Sequence, residues 1–496
     1  MFLLLSIDFF LLTGIIVKAE KFIIAVYAAE RRNEMQNKSY EIDMCHGPLP
    51  KKLILFSLPL MLSGMLQLLF NAADVIVVGR FAGSEALAAV GSTGSLITLI
   101  TNLFIGLSVG ANVIVAHAFG TKNYKSISEI VHTSMLLSFV SGIFLAVIGV
   151  FIARFALELM SSPEDVIDLS ALYLKIYFMG MPATLVYNFG SAILRAEGDT
   201  RRPLYILCLA GIVNVILNLF FVIVCNLSVA GVAIATVTSQ VISAILIVRC
   251  LMTEKSSVKL DLKRLKIHKN RLIQILKVGL PAGLQGIVFS LSNIVMQSAI
   301  NSFGSDTMAG NAAAASIEGF IYVAMNSFFH TSLTFTGQNY GAGQYKRVFK
   351  VFLMCISFVT VTGLSLGLIA LTFGHTLLGI YSQKPSVISQ GLIRMKYICP
   401  LYFLCGTMDA AVGSIRGLGR SMLPTITSLL GACIFRMIWI FTIFSNHHTL
   451  NCLYVIYPLS WGVTFGAHLV CFFVIYRKLV KQAISSMHHS KTAAAK

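Results

Sequence analysis

Three polar residues in the first long apolar segment of the chain have the types and spacing of an ion site. Residues 53–79 are almost wholly apolar, yet they include Gln67, Asn71 and Asp74 at positions i, i+4 and i+7, which places all three on one helical face. A carboxylate inside a spanning helix costs at least a few kcal/mol, so Asp74 predicts an ion, proton or substrate site. The alternative is a carboxylate that snorkels to the far membrane surface.

Two further carboxylates fall inside apolar segments of the second half of the chain. Glu318 and Asp409 lie in the eighth and tenth segments, and Glu318 stands about 15 Å into its segment by helical rise, near the midplane. We expect either residue to bind a cation or a proton, and a protonated or hydrogen-bonded structural carboxyl is the alternative for both. His117 and His330 are candidate proton relays, although His117 is at the end of its segment, where a solvated or hydrogen-bonded role suffices.

The amino-acid composition of the chain is that of a membrane protein. The chain has 496 residues, of which 56% are hydrophobic and 12% charged, and its mean hydropathy is +0.82. These values predict an all-α polytopic protein in the lipid bilayer. The net charge of +18 comes from Lys and Arg in short connections, which is a topology signal and not a nucleic-acid surface. The ten cysteines suggest neither a disulfide framework nor a structural metal site.

Twelve apolar segments are long enough to span a bilayer. Basic residues cluster in every second connection, so the positive-inside rule places those connections and both termini in the cytoplasm. The predicted spans are 53–79, 86–116, 130–156, 168–194, 203–225, 229–250, 275–302, 308–337, 349–379, 394–415, 423–445 and 451–476.

The segment before the first span is unusual. Charged residues interrupt the apolar run of residues 1–34, and a polar stretch begins at Met35. We therefore expect translation to start at Met35, with an amphipathic membrane anchor as the alternative.

An internal repeat divides the chain into two six-helix lobes. A shift of 221 residues superposes RAEGD at 195–199 on RGLGR at 416–420, and Pro203 on Pro424; a shift of 222 superposes Asn71 on Asn293. Because each half has an even number of spans, six, both halves insert into the membrane in the same orientation. They are therefore parallel repeats. The predicted domains are a cytoplasmic extension (1–50), an N-terminal lobe (51–250), a cytoplasmic linker (251–274), a C-terminal lobe (275–478) and a cytoplasmic tail (479–496).

These features together resemble the multidrug and toxic compound extrusion (MATE) family of cation-coupled antiporters. The resemblance rests on GPLPKKLILFSLPLMLSGMLQLLFNAADVIVVGRFAG, on the paired RAEGD and RGLGR loops, and on GLPAGLQGIVFSLSNIVMQSAINSFGSDTMAGNAAAASIEGF. It implies two six-helix bundles that export organic, often cationic, compounds in exchange for protons or sodium ions. It also implies that Asp74 is the family's first-helix acid, and that Asp409 matches an acid of the tenth helix.

The sequence departs from the family at two helices. One branch has an acid on the fifth helix, where this chain has Asn214 and Asn218; another has an acid on the seventh, where it has amides instead. Asparagine cannot exchange a proton, but it can hydrogen-bond a carboxylate or offer an oxygen to sodium. We expect Asn71, Asn214 and Asn218 to surround Asp74. The predicted substrate cleft contains Gln67, Asn188, Gln285, Asn293 and Gln297.

Two other function classes remain as alternatives. A flippase for a lipid-linked precursor needs a markedly cationic cleft, whereas the buried charges of this sequence are mainly acidic. An intramembrane enzyme needs a catalytic constellation such as paired aspartates, a Ser and His pair or an HExxH zinc site, and none appears. The sequence has no phosphate-binding loop either, so we expect an ion gradient and not ATP to supply the energy. The prediction is therefore a monomeric, multi-pass cell-membrane antiporter with no cofactor and no nucleic-acid partner. Its coupling ion is H⁺ or Na⁺, with sodium bound at Asp74 or at Glu318 and Asp409.

Overall fold

The computed structural model describes residues 40–160 and 163–494, which form helices joined by short turns. The predicted start at Met35 and the segment 1–34 lie outside these residues. The α-helices are α1 (Leu49–Phe81), α2 (Ser84–Gly120), α3 (Tyr124–Leu159), α4 (Glu164–Met179), α5 (Met181–Glu197), α6 (Arg201–Leu219), α7 (Ser228–Thr253), α8 (Lys269–Asn301), α9 (Ser305–Gly341), α10 (Tyr345–Thr372), α11 (Gly374–Tyr381), α12 (Pro385–Ile398), α13 (Phe403–Gly417), α14 (Met422–Ser428), α15 (Phe435–Trp439) and α16 (Leu450–Ala494).

The helices provide the predicted membrane spans. In the described ranges, 10 helices are long and apolar enough to cross a bilayer, and the number reaches 12 when two bent pairs each count as one span. The bends are 47° between α4 and α5 and 46° between α12 and α13. Prolines explain them, because Pro182 opens α5 and Pro400 lies in the short 3₁₀ turn before α13. The all-helical membrane fold is thus confirmed, and the predicted twelve spans are the upper end of the 10 to 12 that the described helices allow.

Three π-helical turns interrupt the regular helices. One, Phe220–Val224, follows α6, and the other two, Leu429–Ile434 and Ile440–Phe444, enclose α15. A π turn adds a residue to the helical repeat and rotates all the side chains that follow it. The turns on either side of α15 therefore give that helix a register of its own.

The described chain forms two compact units. The first contains Leu62–Thr101, Ser128–His268 and the described residues up to Ile42; the second contains Asp43–Met61, Asn102–Ile127 and the residues from Lys269 onward. Each of the helices α1 and α2 is therefore divided between the units. The lobes at 51–250 and 275–478 follow from the sequence repeat and stay a prediction.

In the first unit, small and branched apolar side chains pack the helices together. Val78 of α1 and Val232 of α7 are fully buried in one core cluster, which also contains Val222 of the π turn after α6. The residues between α7 and α8 rest on α3: the amide of Asp261 donates to Nε2 of His132 at 3.1 Å, and the amide of His268 donates to Oγ1 of Thr133 at 3.1 Å. The connection between α7 and α8 is therefore held against α3 by hydrogen bonds.

In the second unit, α2 and α8 meet through glycines at matching intervals of four residues. A Cβ atom built on Gly106 would lie 2.2 Å from the backbone nitrogen of Gly283, and one built on Gly110 would lie 2.4 Å from the carbonyl oxygen of Ile275. Gly279 lies opposite both positions. Such spacing of small residues lets helices in a membrane approach at backbone distance, where van der Waals contact holds them.

The segment before α1 is also fixed to the second unit. Met44 is fully buried, and Arg347 donates hydrogen bonds to the carbonyl oxygens of Met44, His46 and Gly47 at 3.0, 2.9 and 2.9 Å. These bonds satisfy backbone acceptors ahead of the helix and define the direction in which α1 begins.

Candidate ion-coupling site

Asp74 lies in a hydrogen-bonded polar cluster contributed by three helices of the first unit. Asn218 of α6 donates its side-chain amide to Oδ1 of Asp74 on α1 and to Oδ1 of Asn214 at 3.3 Å. Asn214 in turn donates to Oγ1 of Thr236 on α7 at 3.4 Å, and Thr236 also hydrogen-bonds the Asp74 side chain. The two asparagines are four residues apart on α6 and therefore share one face.

A close helix contact brings Asp74 within reach of Asn218. A Cβ atom built on Gly211 of α6 would lie 1.8 Å from Cε2 of Phe70 on α1, so α1 packs directly against the backbone of α6 one turn before the carboxylate. Asn218 is fully buried, Asn214 is buried, and Asp74 is half-buried. The carboxylate thus lies at the border of a water-poor cluster, where hydrogen bonds to charged groups are strong.

One acceptor atom of this cluster is unused. Oδ1 of Asn218 is buried and has no hydrogen-bond donor within the described residues. Buried polar groups without a partner are uncommon and point to a missing proton donor or ion. Asp74, Asn214, Asn218 and Thr236 together offer carboxylate, amide and hydroxyl oxygens. Such a set can accept a proton at Asp74, or surround a hard cation such as Na⁺.

Other residues predicted for this half of the chain lie apart from that cluster. Gln67 and Asn71 are exposed on the surface of α1. Asn188 of α5 is half-buried, and its amide donates to the carbonyl oxygen of Thr184 in its own helix at 2.9 Å. The structure therefore connects Asn214 and Asn218 to Asp74. The roles of Gln67, Asn71 and Asn188 stay predictions.

Glu318 of the second unit is one partner of a buried ion pair. Nε and Nη2 of Arg394 donate to its two carboxylate oxygens at 2.9 and 2.6 Å, and Nη1 donates to Oδ1 of Asn311 at 2.7 Å. Glu318 and Arg394 are both buried. The arrangement matches the alternative of a hydrogen-bonded structural carboxyl. Arg394 was missed because it begins the predicted tenth span, where basic residues ordinarily mark a boundary.

Asp409 has a different environment. Its side chain hydrogen-bonds Tyr322 of α9, and Arg416 of its own helix interacts with it electrostatically. Nη2 of Arg416 donates to Oε1 of Gln285 at 2.8 Å, so that Gln285 lies in the Arg416 cluster. Asp409 is half-buried, whereas Gln285 is buried. Asn293 and Gln297 are exposed on α8.

His117 and His330, the two candidate proton relays, make aromatic ring contacts in the second unit. Nε2 of His117 lies 2.6 Å from the carbonyl oxygen of Gly417, and its ring packs on Tyr340. The ring of His330 stands edge-on to Phe329, with 5.0 Å between centroids. For His117 this geometry fits the hydrogen-bonded role expected at the end of its span.

One expectation about charge was wrong. The sequence predicts buried charges that are mainly acidic, yet the described part of the second unit buries three arginines in its spans, Arg394, Arg416 and Arg436. Arg394 and Arg416 are at the ends of a predicted span, where basic side chains look like topology signals. Here the helices instead direct their guanidinium groups into the protein, where they are almost fully removed from solvent.

Comparison with known proteins agrees with the repeat and the fold. The MatE family model matches residues 59–220 and 281–442, one segment in each half of the sequence repeat. Together the two segments cover more than half of the chain. The "Probable multidrug resistance protein YoeA" of Bacillus subtilis is 29% identical over 388 residues, which are 76% of this chain and 83% of that protein. The "FAD transporter" of Shewanella oneidensis is 26% identical over 351 residues, 69% of this chain and 76% of that protein.

Solved structures share the same arrangement of helices. A crystal structure of MATE in complex with MaL6 superposes with a TM-score of 0.84 at 21% sequence identity, and the match covers 90% of this chain and 100% of the other. A MOP superfamily transporter from Pyrococcus furiosus gives a TM-score of 0.83 at 21% identity. The two-segment family match, the relatives and the shared fold identify this chain as a member of the MATE family of membrane transporters, which are not enzymes.

Proposed function

We propose that the protein is a secondary active antiporter that exports cationic or amphipathic organic compounds in exchange for H⁺ or Na⁺, with Asp74 as its coupling residue. The observation that carries this proposal is the hydrogen bond from Asn218 to the Asp74 carboxylate, beside a buried amide oxygen that has no donor in the described chain. Among Asp74, Asn214, Asn218 and Thr236, only Asp74 exchanges a proton in the physiological range.

Protonation supplies a coupling mechanism. A charged Asp74 accepts the Asn218 amide, whereas a protonated Asp74 also donates a hydrogen bond and can satisfy an amide oxygen such as Oδ1 of Asn218. A proton or a sodium ion drives the change between transport states only through its different affinity for those states. The two hydrogen-bond patterns of Asp74 provide that difference. Alternating access then links ion entry to substrate exit.

The relatives support an organic substrate. One bears the name of a multidrug resistance protein and another that of an FAD transporter, so both names point to organic compounds. We propose the same broad class here, in a cell-membrane protein that acts as a monomer with both termini in the cytoplasm. Glu318 and Asp409 are the second candidate coupling site, and the cleft residues are those predicted from the sequence.

A flux assay in proteoliposomes tests this proposal. The pH gradient and the sodium gradient are imposed independently, and uphill export of a fluorescent organic cation is followed for the unaltered protein, for Asp74→Asn and for Asp306→Asn. Asp306 is an exposed acid in the first turn of α9 and serves as the matched control. We expect Asp74→Asn to abolish export driven by one of the gradients and to leave folding intact, while Asp306→Asn retains export.

Two results would redirect the proposal. Normal uphill export by Asp74→Asn would move the coupling site to Glu318 and Asp409. Movement of a lipid-linked pyrophosphate, with no export of organic compounds, would favour the flippase alternative.

A further inference from the structure

Arg436 stands apart from the other buried arginines of the second unit. Only 2% of it is exposed, and it lies on α15 between the two π-helical turns. Nε donates to Oγ of Ser460 on α16 at 2.9 Å. The guanidinium carbon lies 4.7 Å from the ring centroid of Tyr457 and 5.6 Å from that of Trp461.

Part of this guanidinium has no partner. Nη2 of Arg436 is buried and has no hydrogen-bond acceptor in the described chain, and the salt bridges of the described residues include none for Arg436. By contrast, Arg394 is paired with Glu318, and Arg416 donates to Gln285 and interacts electrostatically with Asp409. A buried charge without a counter-ion is costly, so such groups are normally paired. The unused donor at Arg436 therefore requires an explanation.

The sequence repeat gives Arg436 a counterpart in the first unit. Pro203 superposes on Pro424 with a shift of 221 residues, and the π turn Leu429–Ile434 then adds one residue to the helix. The resulting shift of 222 places Arg436 at the position of Asn214. The same shift places Met296, which is buried, at the position of Asp74. The carboxylate and amide of the first unit thus correspond to a thioether and a guanidinium in the second, and the sign of the charge is reversed.

The contacts of Arg436 leave Nη2 as the part of the guanidinium without an acceptor. Tyr457 and Trp461 lie close to the guanidinium carbon and Ser460 accepts from Nε, whereas the buried Nη2 has no acceptor in the described chain. A planar guanidinium matches the two oxygens of a carboxylate or phosphate better than any other side chain. The nearby aromatic rings also suit the apolar part of an organic ligand.

We infer that Arg436 is the anchor of an oxyanion site in the second unit, which binds the carboxylate or phosphate of an organic substrate. The inference rests on the proposed export of organic compounds and adds an anionic group to the substrate class. Substrates that use this site are therefore amphipathic molecules with a carboxylate or phosphate, and not simple cations.

Tryptophan fluorescence of the purified protein in nanodiscs tests the inference. The chain has two tryptophans, Trp461 beside the Arg436 guanidinium and Trp439 on the same helix as Arg436. Three probes are titrated at pH 7 without any gradient: phenylbutyrate, its uncharged analogue phenylbutyramide, and phenyl phosphate. We expect saturable binding of one or both anions and binding of the amide that is about tenfold weaker, or weaker still, because a hydrogen bond to a charged group is lost. The phosphate and carboxylate arms identify which oxyanion is preferred.

Variants then locate the binding. Arg436→Gln should weaken the preferred anion about tenfold or more, Arg436→Lys should weaken it by less, and Arg420→Gln, at an exposed arginine, should not change it. If the unaltered protein binds neither phenylbutyrate nor phenyl phosphate more tightly than phenylbutyramide, the inference is overturned, even if Arg436→Gln does not fold. Undiminished anion binding by a folded Arg436→Gln would do the same. The titration measures binding without any gradient, whereas the coupling proposal is read from gradient-driven export by Asp74→Asn, so a failure of the coupling proposal is distinguishable from a failure of the oxyanion site.

Discussion

Asn218 donates its side-chain amide to the carboxylate of Asp74 across the interface of α6 and α1. An asparagine at this position supports a neighbouring carboxylate but contributes no proton of its own. The cluster of Asp74, Asn214, Asn218 and Thr236 therefore has a single titrating group. In this arrangement, ion dependence should respond to Asn218 while proton exchange stays at Asp74.

Replacing Asn218 tests that division of roles. Leucine has a volume similar to that of asparagine. Asn218→Leu therefore removes the hydrogen bond to the charged Asp74, which is worth about 1.5–3 kcal/mol, without a large change in packing. We expect the concentration of coupling ion for half-maximal export to shift by about tenfold or more in the proteoliposome assay. Asn446→Leu is the control, since Asn446 is exposed and bonds the Thr442 carbonyl of its own turn. An unchanged ion dependence in Asn218→Leu would show that this hydrogen bond has no part in coupling.

The Glu318–Arg394 pair should contribute to stability through its two members together. Glu318→Gln or Arg394→Met leaves a buried charge uncompensated and should lower the free energy of unfolding by about 3–5 kcal/mol. The double variant Glu318→Gln/Arg394→Met should lose much less, because it removes both charges. Unfolding in detergent measures the four states of this double-mutant cycle.

An exposed pair in the first unit is the matched control for that cycle. Nε of Arg154 lies 3.2 Å from Oε1 of Glu158, and both side chains are more than half exposed. Its coupling energy should be about 1 kcal/mol or less. A coupling energy for Glu318 and Arg394 no larger than this would contradict the structural role. Loss of export in a stable Glu318→Gln variant would instead support Glu318 as a coupling residue.

The glycine contact between α2 and α8 should be intolerant of larger side chains. Gly106→Leu introduces atoms where the backbone of Gly283 already lies, so we expect loss of the folded, monodisperse protein after detergent extraction. Gly94→Leu on the same helix is the control, because a Cβ atom at Gly94 meets nothing within 4 Å. Equal yields and melting temperatures for the two variants would show that the α2 and α8 helices do not need this close approach.

Cysteine labelling tests the predicted topology. Lys259 lies between α7 and α8 in the predicted cytoplasmic linker, whereas Cys225 follows α6 in a connection that the positive-inside rule places outside. Both positions are exposed. An impermeant maleimide added to intact cells should label a variant that keeps Cys225 as its single cysteine, and should not label a variant whose single cysteine is introduced by Lys259→Cys until the membrane is opened. Labelling of Lys259→Cys in intact cells would reverse the orientation.

The sequence by itself determined the helices and the position of an acid within the first span. Long apolar runs with few charges define spans locally, without knowledge of the neighbouring helices. The helical rise also placed Asn214 and Asn218 near the depth of Asp74, and the structure contains the bond between Asn218 and Asp74.

Only the tertiary structure decided which side chains meet. Glu318 and Arg394 belong to different helices 76 positions apart, and their pairing depends on how α9 and α12 are rotated and packed. The π turn Leu429–Ile434 shifts the helical register of Arg436 by one residue, which no apolar periodicity reveals. Composition sets whether a segment crosses the membrane, because lipid interacts with each residue separately. The partner of a buried charge depends on long-range packing, and so it appears only when the helices are assembled.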